Sequence, residues 1–141
     1  MGINKMILTS VITMGLAIAV QGQQDQAKED SEAVEKVILS LFDGMREADS
    51  AKVSSAFRKD VNMYTSFTSK EGELMLQEGK LESFLKAVGT PHDQIWDERI
   101  WNTKILIDGG IAQVWTEYAF YRGQEFSHCG VDAFHLVKEA S

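Results

Sequence analysis

The sequence predicts an α+β domain, with helices gathered on one side of an antiparallel sheet. Three observations predict it. Apolar residues recur at helical spacing over residues 31–49 and again over residues 80–88. Residues 111–137, IAQVWTEYAFYRGQEFSHCGVDAFHLV, read as two long strands around a tight turn at Arg122-Gly123-Gln124. The order is helix, helix, strand, helix, then a run of antiparallel strands, which segregates helices from sheet.

The 141 residues suffice for one domain, and 44% apolar with 25% charged residues is a globular composition. Lys5 followed by the apolar run 6–20 reads as a secretory leader over residues 1–22. That run has 15 residues, short of the roughly 20 that span a bilayer. An uncleaved anchor helix is the alternative reading; after processing no stable membrane anchor is expected. The predicted location is therefore periplasmic or secreted.

Residues 23–30, QQDQAKED, are polar and aperiodic and read as a flexible tail. In the first helix Val34, Val37, Ile38, Leu41, Met45 and Ala48 share a face. Gly44 interrupts it, which suggests close packing against a sheet. Ser50 is placed to cap a short helix over residues 51–57. Residues 60–68 read as a strand, 70–73 as a turn and 74–76 as a short returning strand. Residues 80–88 form the third helix, with Leu81, Phe84, Leu85 and Val88 as its stripe and Gly89 as its cap. Residues 90–98 read as a loop and 99–107 as a strand, closed by the Asp108-Gly109-Gly110 turn. Gly130, inside the last strand, is the expected bulge.

Alternation through a two-residue loop puts Trp115, Glu117, Ala119 and Tyr121 on one face with Phe126, His128, Asp132, Phe134 and Leu136. Aromatics mixed with three ionisable groups make the composition of a pocket wall. In one of two plausible registers Glu117 and His128 are cross-strand neighbours, either as a satisfied polar pair or as ligand contacts. His128 and Asp132 lie about 13 Å apart along the strand, enough to touch opposite ends of a small ligand. Tyr64, Tyr118, Tyr121 and Trp96 read as packing residues or ligand platforms.

The net charge is −7, and loss of Lys5 with the leader makes it more negative. An acidic chain without a basic cluster argues against nucleic acid and anionic lipid. Cys129 is the only cysteine, so it is either a buried thiol or a link between copies. His92, His128 and His135 have no paired spacing, and neither a phosphate loop nor a nucleophile elbow is present. No metal or cofactor is expected.

The motifs Ala56-Phe57…Asp60-Val61, Leu81…Phe84-Leu85, Gly110-Ile111-Ala112…Val114-Trp115…Tyr118 and His128-Cys129-Gly130-Val131-Asp132-Ala133-Phe134 carry a resemblance over residues 31–141. The chain resembles the nuclear transport factor 2-like, SnoaL-like superfamily, and within it the lumazine-binding group. The resemblance implies a cystatin-like cone, with N-terminal helices packed on a strongly curved antiparallel sheet. Such domains end with a further strand beginning Gly-Trp-Lys. This sequence stops at Lys138-Glu139-Ala140-Ser141, so a C-terminally truncated cone lacking its last strand is expected.

The resemblance also sets Asp132 near the position where steroid isomerases keep a protonated aspartate. Thr65 and Leu41 stand where those enzymes have a general base and a tyrosine, and neither can do that work. The expectation is an exported, non-catalytic domain that binds a small hydrophobic or heterocyclic molecule and pairs as a homodimer. Trp115, Glu117, Tyr121, Phe126, His128, Asp132, Phe134 and Tyr64 are its expected ligand contacts. The alternatives are an isomerase, cyclase or hydrolase using Asp132, His128 and Glu117, and a dimerisation module whose cone is filled.

Overall fold

The computed structural model describes residues 10–139, with side chains from residue 22 onward. Residues 1–9 of the expected leader lie outside the described residues. Helix α1 (Ser10–Glu47) leads into α2 (Ser50–Ser55). Strands β1 (Met63–Thr68) and β2 (Leu74–Gly79) come next, then helix α3 (Leu81–Gly89). Strands β3 (Trp96–Asp108), β4 (Ile111–Arg122) and β5 (Glu125–Val137) follow. The α+β class holds. The strands form two antiparallel sheets, β1-β2 and β3-β4-β5, and neither closes into a barrel.

Several local expectations change. Residues 23–30 are helical, because α1 begins well before residue 31. Their side chains are mostly exposed, and packing starts only at Val34. From there Ile38, Leu41, Phe42 and Met45 are buried at the 3.6-residue spacing of one face, with Phe42 joining the expected set. The cap of α2 is Asp49, whose carboxylate accepts the Lys52 N–H at 2.9 Å, and not Ser50. Gly44 packs against α2 instead of a sheet: a Cβ there would stand 2.8 Å from Val53 Cγ2. Trp96, Asp97 and Glu98, expected in a loop, open β3.

The core lies between α1 and one face of the larger sheet. Val114 is fully buried there, and Ile100, Ile105, Phe134 and Leu136 pack around the α1 residues. Phe42 meets Phe134 edge to face at 6.3 Å. Arg46 ties α1 to β3 through Asp97 at 2.9 Å, and Arg99 holds the same carboxylate at 2.7 Å. Partial burial pushes the Asp97 acidity down in strength, but the two arginines outweigh it and keep its pKa low.

Candidate functional site

Which side chains reach the covered face is decided by two bulges. In the turn-proximal part of the last hairpin, Arg122 pairs with Glu125 and Tyr121 with Phe126. Past that point Phe120 pairs with His128, so Ser127 is the extra residue of a β-bulge. One extra residue exchanges the faces of everything beyond it. The pairs on the covered face are therefore Phe120/His128, Tyr118/Gly130, Thr116/Asp132 and Val114/Phe134. The expected grouping carries the turn's register along the whole hairpin, and it fails past Phe126 because of this bulge.

Of the expected contacts, His128, Asp132 and Phe134 lie on the covered face. Trp115, Glu117, Tyr121 and Phe126 lie on the opposite one. Trp115 is 49% exposed and Phe126 58%. Tyr121 packs edge to face on Phe126 and lies under the Arg99 guanidinium, 4.3 Å from its ring centre. Tyr64 sits on the separate β1-β2 hairpin and is exposed. Cys129 is exposed as well, not buried.

Glu117 is held by the second bulge. The β3–β4 register shifts between Trp101 and Lys104, and Asn102 has φ of 52°. Glu117 Oε2 accepts the Trp101 Nε1–H at 2.7 Å, and its Oε1 accepts from Asn102 Nδ2 at 3.2 Å. Beneath them, the fully buried Thr116 hydroxyl lies 2.7 Å from that of Thr103. Glu117 thus stands opposite Val131, not His128.

Glu98 takes its place in the chemistry. It pairs with Phe120 on the covered face, and its carboxyl lies within reach of that of Asp132, close enough to share a proton. Burial, then the Asp132 charge, raises its pKa to about 9. Burial raises the Asp132 pKa too, against the Glu98 hydrogen bond and the His128 charge. At neutral pH Glu98 therefore holds a proton and Asp132 accepts it. Asp132 Oδ2 is buried with no hydrogen-bond partner among the described residues. A proton on Glu98 gives the Asp132 carboxyl the donor it otherwise lacks.

Tyr118 lies beside this pair. Burial, then the nearby Asp132 and Glu98, pushes its phenol pKa upward, so it stays a neutral donor. Its ring lies over Gly130: a Cβ there would be 3.0 Å from Cε1 and 3.1 Å from the hydroxyl. Gly130 makes room for a ring, and the bulge expected at it falls at Ser127. His128 caps the cluster, 5.8 Å from the Tyr118 ring and 5.1 Å from Phe120.

From His128 an open cleft of about 610 Å³ runs outward, lined by His92, Asp93, Gln94, Trp96, Phe120, Arg122, Ser127 and His128. His92 stacks on Trp96 at 4.0 Å, and Trp96 meets Phe120 edge to face at 6.0 Å. The Gly123 N–H donates to the Ile95 carbonyl at 2.8 Å, which fixes the β4–β5 turn against the loop bearing His92. A second groove, about 440 Å³, runs along α1 and α2 between Glu32, Lys36, Asp43 and Lys52 and has no aromatic wall.

Helices set against open antiparallel sheets, with ionisable groups gathered on the covered face, define an α+β domain of the cone class. A family model described as putative lumazine-binding matches residues 29–140, and the chain belongs to that family, within the nuclear transport factor 2-like, SnoaL-like superfamily. A search of curated proteins finds no match to this chain.

Proposed function

We propose that this domain binds a small planar molecule in the cleft between Trp96, Phe120 and His128, with the Glu98–Asp132 pair at its inner end. The family's description as putative lumazine-binding supports the general reading. The observation that carries the particular one is the join at His128: it lines the aromatic cleft, meets the Tyr118 ring edge to face and lies near enough to Asp132 for its charge to be felt there. A pocket wall of this kind is apolar with few, placed polar groups. Small molecules released from the purified full-length protein and read by mass spectrometry test it. A retained planar compound, lost in Trp96→Ala, supports the reading; an empty extract from active-fold protein counts against it.

One observation favours a second reading, as an enzyme. A carboxyl that keeps its proton near neutral pH, beside a carboxylate, is a general acid in waiting. In that reading Glu98 gives its proton to a substrate oxygen, and Asp132 and Tyr118 hold the group that receives it. Glu117 has no part. Turnover abolished by Glu98→Gln with binding retained supports it; turnover unchanged in that variant excludes it.

Two further parts of the reading concern the surroundings. The outer sheet face exposes Trp101, Trp115, Val131 and Val137, and an apolar face of this kind suits a second copy of the chain. Sedimentation of the wild type as a dimer and of Trp115→Glu as a monomer checks this. Export rests on Lys5 and the apolar run after it, and N-terminal sequencing of the mature protein decides it. No helix among the described residues is long and apolar enough to cross a membrane.

A further inference from the structure

The cleft's polar groups name a chemical class of ligand. Four arginines occur in the described chain, and carboxylates within 4 Å hold Arg46, Arg58 and Arg99. Arg122 has no such partner among the described residues, although Glu125 is its cross-strand neighbour and Asp93 lines the same cleft. His92, on the facing loop, buries its Nε2 without a hydrogen-bond partner. Buried polar nitrogens in native folds are nearly always satisfied, so an orphan lining a cleft points to a missing partner. The same cleft is walled by rings at two inclinations: the His92–Trp96 stack, and Phe120 with His128.

We propose that the cleft takes a planar aromatic carboxylate. The ring lies against the Trp96 and Phe120 walls, and the carboxylate sits between Arg122 and His92 Nε2. This rests on the small-molecule reading above and narrows it. The chain's net charge of −7 and Asp93 both oppose an anion, so the attraction has to be short-range. A guanidinium supplies that, since its parallel N–H groups match both oxygens of a carboxylate. His92, as its Nε2–H tautomer, donates a third hydrogen bond once the entering carboxylate displaces the atoms that now cover Nε2. The Gly123–Ile95 hydrogen bond keeps the two elements that carry these groups together.

The test uses naphthalene-2-carboxylate and its uncharged isostere, naphthalene-2-carboxamide. Both are titrated into the full-length protein by calorimetry, with the Trp96 indole followed by NMR. The wild type binds the carboxylate about tenfold more tightly than the amide, in line with a charge-assisted bidentate contact. Arg122→Gln brings the two affinities together without weakening the amide, and His92→Phe lowers only the carboxylate's. Equal binding of both probes by the wild type overturns the proposal and leaves the small-molecule reading intact. A preference that survives Arg122→Gln overturns it as well, and so does the failure of both probes to bind. The small-molecule reading itself falls only if the mass-spectrometric extract is also empty.

Discussion

Phe120 faces His128 across β4 and β5 with ring centres 5.1 Å apart, while the next residue, Tyr121, faces Phe126. Ser127 is thus the extra residue between these two pairs. Deleting Ser127 joins Phe126 directly to His128, so the Phe120/His128 pair and every pair beyond it keep their faces and only the bulge is lost. The expected outcome is a variant that still melts cooperatively, within about 1–2 kcal/mol of the wild type, and keeps the Phe42–Phe134 contact by NMR. A deletion that instead turned Phe134 and Leu136 into water would cost about 1.5–3 kcal/mol for each. Loss of that contact together with several kcal/mol of stability would show that Ser127 is not the extra residue.

Phe134 serves the core and not the cleft. It packs against Phe42 and is not among the cleft's lining residues. Phe134→Ala should cost about 3 kcal/mol, the lower end for truncating a buried aromatic, because Phe134 is only partly buried. Affinity for a cleft ligand should stay within about twofold of wild type once both proteins are folded. A loss well under 1 kcal/mol in a denaturant titration would remove Phe134 from the core.

Much of the fold is legible in the residues. The apolar spacing of α1 and α3, and the dense β-branched and aromatic runs of β3 to β5, announce their elements directly. The side-chain faces are not legible, because Ser127 carries no mark of a bulge. It is neither glycine nor proline, and the glycine nearby, Gly130, is needed for the Tyr118 ring instead. Glu98 left a faint signal. Trp96, Glu98 and Ile100 alternate onto one face, and an acid between two large apolar neighbours on a strand is costly unless something holds it. The pattern is masked because Pro91 and the polar residues after it make residues 90–98 look like a loop, whereas β3 begins at Trp96. Arg122 was hidden for a different reason: its role depends on the loop at His92, brought near by a turn contact that no local pattern encodes.

Glu117 is a support for the β3 bulge. Both of its oxygens are taken by Trp101 and Asn102, on the face away from the cleft. Glu117→Ala should therefore lower stability by about 1 kcal/mol, less than a buried charged hydrogen bond, since the site is partly open to water. Ligand affinity and any turnover should be unchanged. The indole N–H resonance of Trp101 should move upfield as its acceptor is lost. A tenfold loss of binding with stability intact would return Glu117 to the functional site.

Glu98 makes stability depend on pH in a direction opposite to that of most carboxylates. Folded, it keeps its proton to about pH 9; unfolded, it loses it near its ordinary value of 4.5. Between those values the folded chain binds more protons than the unfolded one, so stability falls as pH rises. Asp132, also raised, tilts the curve the same way. Asp97, held low by its arginines, acts in the other direction, but only in acid below its ordinary 3.8. Tyr118 titrates above 10, beyond the window. Glu98→Gln keeps the shape and a donor to Asp132 while removing the proton that is lost. Urea titrations from about pH 5 to 9 should show the wild-type decline and a much flatter curve for the variant. A variant that declines as steeply as the wild type would mean that the proton of the pair does not reside on Glu98.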